Sequence, residues 1–240
     1  MGVFASKRIS NKANIVLVHG FWADGSGWSK VIPILQEQGH FVVAAQHAHT
    51  SLADDVAATR QLLAELEGPT LLVGHSYGGF VISEAAKDAP GVVGLVYISA
   101  FLLDEGETLL SSGANFPPLE VFQHLLITGQ GFAWIDPEVF PQHFANDLDL
   151  VEARALAVSQ VPPNASIFNT PAGQPAWKSL PSWSLFGSED RMIHPDQHRW
   201  MAQRSKATAR EISSSHVPFL SHPEEVAQVI LEAVNKVVPA

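Results

Sequence analysis

The chain has 240 residues, 46% of them hydrophobic and 16% charged, with 17 Gly and 16 Pro, a balance that excludes disordered, collagenous and repeat-rich classes. Zero Cys excludes a disulfide framework, a thiolate zinc site, an iron–sulfur cluster and a cysteine nucleophile. Lys and Arg number 14 against 24 Asp and Glu, a formal net charge of −10, and no basic run tracks a phosphate backbone, so nucleic acid is not an expected partner.

At this length folding hides roughly 70 to 75% of the unfolded chain's surface, enough for one domain with a large core. No stretch approaches the ~20 apolar residues of a membrane helix, and Met1 to Asn14 lacks the apolar segment of a secretory signal. The expected protein is soluble and cytoplasmic, with no membrane partner. Met1-Gly2-Val3-Phe4-Ala5-Ser6 fits the loose N-myristoylation pattern, but a second anchoring signal is missing.

In chain order, short runs rich in Val, Ile and Leu at Ile15 to Val18, Phe41 to Ala45, Thr70 to Val73 and Val92 to Ile98 read as parallel strands covered on both faces. Helical spacing separates them at Ser29 to Gln38, Ser51 to Leu66 and Tyr77 to Lys87, with Ser51 as N-cap. After Phe101 the rhythm breaks through a Pro-rich stretch, with helical candidates at Leu119 to Thr128, Pro137 to Asn146 and Leu148 to Ser159. Strand character returns at Ser182 to Phe186 and Ala209 to Ser213. A last helix spans Pro223 to Val237, with Ser221-His222-Pro223-Glu224 as a capping box. The alternation predicts an α/β protein with an open, mainly parallel sheet of about six strands flanked by helices. The expected core is 1–100 and 179–240, and 101–178 is an inserted helical lid ahead of the strand at Ser182.

Gly74-His75-Ser76-Tyr77-Gly78 is G-x-S-x-G between a strand and a helix. A serine at such a turn is held in a strained conformation with its hydroxyl beyond the sheet. The Tyr77 N–H at the helix start favours a developing oxyanion. A second donor is expected from the loop after the first strand, His19-Gly20-Phe21-Trp22, with Phe21 N–H as candidate. His19 reads as a histidine that fixes this loop, and Trp28 as core.

A serine needs a base and an orienting acid, in chain order Ser, Asp/Glu, His for this turn type. Glu189-Asp190 follows the strand Ser182 to Phe186, and His216 follows the strand Ala209 to Ser213. Asp190 is preferred to Glu189 as acid, and His216 is the expected base. His222 is expected in the start of the last helix, and His194 and His198 at the surface.

These residues resemble the α/β-hydrolase fold superfamily over essentially the whole chain. Ser76, Asp190 and His216 match its catalytic triad, and Phe21 with Tyr77 its oxyanion donors. Leu17-Val18-His19-Gly20, Gly74 to Gly79 and Pro175-Ala176-Trp177-Lys178 leading into Pro181-Ser182-Trp183 look like bacterial relatives of the plant methyl esterase and hydroxynitrile lyase group. Hydroxynitrile lyases of that group carry a lysine directly after the triad histidine. Val217 stands here, which leans toward ester hydrolysis. The resemblance also implies that the superfamily's first two antiparallel strands are trimmed.

The lid supplies ten large apolar residues, Phe116, Leu119, Phe122, Leu125, Leu126, Phe132, Trp134, Phe140, Phe144 and Phe168. The expected pocket lining is Trp22, Phe101, Phe122, Leu125, Trp134 and Val217. From Phe101 to Trp177 nine acidic residues face a single basic one, Arg154, a sign that repels phosphorylated or carboxylate-rich substrates. His47-Ala48-His49 could offer two metal ligands, but a serine triad has no need of a metal, so none is expected. The expected function is a cofactor-free serine carboxylesterase for small, neutral, fairly hydrophobic esters. The alternatives are a carbon–carbon lyase or cofactor-independent oxygenase using the same Ser76 and His216, and a non-catalytic ligand-binding module. A homodimer stays open.

Overall fold

The computed structural model describes residues 12–238, so the N-myristoylation pattern and any strand ahead of Lys12 lie outside the described residues. Six strands form one parallel sheet: β1 (Asn14–Val18), β2 (Phe41–Ala44), β3 (Thr70–His75), β4 (Val92–Ile98), β7 (Ser182–Gly187) and β8 (Thr208–Ile212), in the order β2-β1-β3-β4-β7-β8. Their apolar runs are continuous because the central strands are covered on both faces: Ile15 to Val18 and Leu71 to Val73 are all fully buried. Each such side chain contributes roughly 1.5 to 3 kcal/mol.

The helices are α1 (Val31–Glu37), α2 (Leu52–Ala64), α3 (Tyr77–Ala85), α4 (Leu109–Gly113), α5 (Phe140–Phe144), α6 (Leu150–Val158), α7 (Pro195–Ser205), α8 (Pro218–Ser221) and α9 (Pro223–Val237). Helix α1 packs on α9 and α2 on α3. The chain leaves β1 toward β2 in one direction and proceeds from β3 to β4, β7 and β8 in the other. With right-handed crossovers, this puts α1 and α3 on opposite faces. The reversal opens a crevice beyond the carboxyl ends of β1 and β3, where parallel α/β sheets hold their ligands. Register keeps those ends level: Val18 pairs with Gly74, His75 with Ile98, and Gly187 with Ile212.

Between β4 and β7 the expected helical insertion holds α4, α5 and α6 together with a short β-hairpin. The region around Leu119 to Thr128 begins as a 3-10 turn, Glu120–His124, then becomes strand β5 (Leu125–Ile127), paired antiparallel with β6 (Ala133–Ile135). The reason lies in the turn at Thr128, whose hydroxyl accepts from Phe132 N and whose backbone bonds to Gly131 and Phe132 close a hairpin. Of the three helices expected in the insertion, only α6 is reproduced closely, whereas α9 spans its expected Pro223–Val237. The capping box ahead of α9 is also absent. Residues 218–221 form α8, and His222, at φ −133, caps α9 with no side-chain bond. Ser221 Oγ contacts His222 Nδ1 at 2.9 Å instead.

Candidate active site

Ser76 sits at φ 53, ψ −122 between β3 and α3, a left-handed conformation costing about 1 to 3 kcal/mol for a non-glycine residue. The turn is so tight that a Cβ on Gly78 would lie 2.5 Å from Val18 O, which is why glycine stands there. Loop Gly20–Trp22 leaves β1 beside it. The Phe21 ring stacks on Tyr77 at 4.0 Å, Trp22 N bonds Val161 O, and Trp22 Nε1 bonds Ala133 O at 2.8 Å, which ties this loop to the insertion. No hydrogen bond is made by Phe21 N–H among the described residues. Tyr77 N–H opens α3, where first-turn donors have no intrahelical acceptor.

Asp190 and His216 are both buried and joined, His216 Nδ1–H donating to Asp190 Oδ2 at 2.8 Å. Asp190 Oδ1 accepts from Met192 N and Ile193 N. Burial alone would raise this carboxyl's pKa. The His216 charge and the hydrogen bonds from His198 and His216 overcome that and hold it well below the usual carboxylate range. Glu189 accepts from Ser213 Oγ instead. His216 Nε2 is buried without a hydrogen-bond partner among the described residues, so the ring presents a bare lone pair. Ser76 and His216 are not hydrogen-bonded to each other, a looseness common before substrate closes a site.

His198 corrects the surface expectation. It is 1% exposed, and its Nε2–H donates to the same Asp190 Oδ2 at 3.0 Å. Phe186 stacks on its ring at 5.0 Å. Burial pushes its pKa below the ordinary histidine value, so the ring is a neutral donor. The sequence does carry a signal for it. Pro195 opens α7, and a residue three positions into a helix that follows β7 faces back onto the sheet edge.

A cavity of about 490 Å³ opens on Ser76, walled by Phe21, Trp22, Phe101, Leu109, Phe116, Phe122, Phe168 and Met192 among others. His194 and Gln197 are its main polar lining, with Gln123 at the exposed rim, and no Asp, Glu, Lys or Arg lines it.

The alpha/beta hydrolase family model matches residues 15–229, nearly the whole described chain. The chain belongs to the alpha/beta hydrolase family. A carbendazim hydrolyzing esterase of Nocardioides sp. (strain SG-4G) is 37% identical over 122 residues, 45% of this chain and 50% of that one, so the match spans half of that relative's length. Methylesterase 7 of Arabidopsis thaliana is 25% identical over 265 residues, covering 95% of this chain and 98% of its own, in line with the resemblance to plant methyl esterases. The crystal structure of a pyrethroid hydrolase from Sphingobium faniae JZ-2 superposes with TM-score 0.77 at 22% identity, covering 93% of this chain and 98% of that one. At that identity it bears on the fold alone.

In this alpha/beta hydrolase four strand ends at one sheet edge carry these residues: Phe21 follows β1, Ser76 and Tyr77 follow β3, Asp190 follows β7 and His216 follows β8. Trp22, Phe101 and Phe122 line the cavity as expected; Leu125, Trp134 and Val217 do not. Helical spacing would have put Phe122 and Leu125 on one face, but the change from 3-10 turn to strand at Leu125 breaks that relation. Trp134 lies across the hairpin from Leu126. Val217 lines a second cavity of about 220 Å³ with Trp22, Phe144, Leu156 and Phe219. Phe140 and Phe144, on α5 of the insertion, are buried in the hydrophobic core. Among the described residues no helix is long and apolar enough to cross a membrane.

Proposed function

We propose that this chain is a serine carboxylic-ester hydrolase acting on neutral, fairly hydrophobic esters. The observation that carries the reading is the strained Ser76 turn opening into an apolar cavity with no charged lining, at the same sheet edge as the buried Asp190–His216 pair. Asp190 fixes the tautomer of His216, since the Nδ1–H it accepts leaves Nε2 as the basic atom. That nitrogen takes the Ser76 proton as the hydroxyl oxygen attacks the ester carbonyl. The N–H groups of Phe21 and Tyr77 hold the resulting oxyanion. His216 then returns the proton to the leaving alcohol, and water releases the acyl group by the same steps. The names of the carbendazim hydrolyzing esterase and Methylesterase 7 support ester cleavage, and Val217, where a lyase of the resembled group has lysine, supports hydrolysis over carbon–carbon cleavage.

The test is a panel of neutral aryl and alkyl esters graded by acyl length, assayed with wild type and Ser76→Ala. The variant should lose on the order of 10⁶ in kcat, and a fluorophosphonate should label wild type at Ser76. Near-normal ester turnover by the variant would overturn the reading.

A further inference from the structure

The loop after β1 and the loop after β2 bring three histidines together beneath the Phe21–Tyr77 stack. His19, His47 and His49 are all buried, and one ligand nitrogen from each ring lies within 4.8 Å of the others. The sequence pairs only His47 with His49. His19 joins them because β1 and β2 are neighbours, with Leu17 beside Ala44.

Hydrogen bonds settle the tautomer of every ring. His19 Nδ1 lies 3.1 Å from Gly20 O, a pure acceptor, so Nδ1 carries the proton. His47 Nε2 meets Thr59 Oγ1 at 2.9 Å, and that hydroxyl already donates to Asp55 O, so Nε2 is the donor. His49 Nδ1 faces Val161 O. Each ring therefore gives one N–H to an oxygen and keeps a lone pair on the other nitrogen, the arrangement by which an outer shell orients metal-ligating imidazoles. Two of those lone pairs, His47 Nδ1 and His49 Nε2, are buried with no partner among the described residues, a costly condition that asks for an explanation. The third, His19 Nε2, accepts from His47 N–H at 3.0 Å. His49 is also held at φ 54, a backbone conformation that costs energy in a non-glycine residue.

We propose that His19, His47 and His49 form a binding site for a divalent transition metal of the imidazole-preferring class, Zn²⁺ foremost. None of the three lines the cavity on Ser76, whereas Phe21 does and meets His49 edge-on at 5.2 Å, with Tyr77 also edge-on to His49 at 5.6 Å. The site is therefore structural, a clamp on the loop that carries Phe21. Tetrahedral Zn–N bonds of about 2.0 to 2.1 Å place ligand nitrogens about 3.3 Å apart, so binding draws the rings together and replaces the His47 N–H contact on His19. In residues 46–50, Gln46, Ala48 and Thr50 are exposed and alternate with the buried histidines.

The experiment is titration of chelator-treated protein with Zn²⁺ by calorimetry, with thermal unfolding in parallel and wild-type crystals measured at the zinc edge. One equivalent should bind, the melting temperature should rise with free Zn²⁺ as mass action requires, and an anomalous peak should lie among the three rings. His47→Gln and His49→Gln should each weaken binding more than about tenfold, beyond the low end of losses from outer-shell changes. Absence of binding at micromolar Zn²⁺, an anomalous peak only at surface histidines, or undiminished affinity in both variants would overturn the proposal. The wild-type crystal decides it even where a variant fails to fold.

Discussion

His198→Leu isolates the second donor on the Asp190 carboxylate. In the native protein Oδ2 accepts from His216 at 2.8 Å and His198 at 3.0 Å, while Oδ1 holds two backbone N–H groups. A hydrogen bond to an ionised group is worth about 1.5 to 3 kcal/mol, so losing one makes the carboxylate more basic by roughly one to two pH units at ~1.4 kcal/mol each. Three donors remain, and only part of that change reaches the imidazole. A less shared negative charge stabilises the protonated form of His216, which cannot act as base. The acid limb of kcat/KM should therefore move up by roughly half to one pH unit. Ester turnover on the acid side should fall by about three- to tenfold and the alkaline plateau stay within about twofold. His198→Gln, which restores an N–H donor, should return the limb toward wild type. The assay is kcat/KM from pH 5 to 9 for the three proteins, with urea unfolding to confirm that each is folded. A Leu profile superposable on wild type, or a Gln profile displaced as far as Leu, would refute a positioning role for His198.

Gly20→Ala places a Cβ 2.6 Å from Ser76 Cβ and 2.8 Å from His75 O, so the oxyanion loop and the serine turn must part by about 1 Å, a misplacement worth roughly 10² in rate. A kcat/KM within threefold of wild type would contradict the assigned geometry. Acid should weaken the fold in a defined direction. His75 and His198 are held below the ordinary histidine value, chiefly by burial, so the unfolded chain binds their protons first. Their stability contribution is complete above about pH 6.5 and declines below it by up to ~1.4 kcal/mol per pH unit for each. Asp55, raised by burial to about 6, offsets roughly one of them as the pH falls through 6. Asp190, depressed in the fold, adds a further loss below about pH 4. Urea midpoints unchanged from pH 7 to 5 would sink this account.

The six parallel strands were legible because a strand covered on both faces needs an unbroken apolar run, and Ile15 to Val18 or Val92 to Ile98 permit little else. The Ser76 turn was legible because its glycines and serine answer a steric requirement written in five adjacent positions. The insertion was not. Strands of three residues such as β5 and β6 are too short to show a period of two, and their existence rests on a hairpin turn and on Trp22 bonding Ala133 O across more than a hundred residues. The joining of His19 to His47 and His49 shares that character: it depends on β1 and β2 becoming neighbours, information that local spacing does not carry.

The acidic insertion shows how a charge count and a site can point to the same chemistry for different reasons. Nine acidic residues against one basic would repel an anionic substrate if they faced it. Several are engaged elsewhere: Asp104 pairs with Lys178, Glu107 with Arg204, Glu152 with Lys30, and Asp147 accepts from Ser215 N. Three of these contacts fasten the insertion to the core, through Arg204, Lys30 and the loop that carries His216. What selects against charge is the cavity itself. A carboxylate or phosphate entering walls of Phe, Leu, Met and Pro would shed its hydration and find His194 and Gln197 as the main polar groups in the lining, a desolvation cost of several kcal/mol. On the proposed function, the preference for neutral esters belongs to the lining of the cavity of about 490 Å³ that opens on Ser76. It should survive neutralising the exposed acids of the insertion, whereas a new lysine at Phe168 or Leu109 should admit anionic esters.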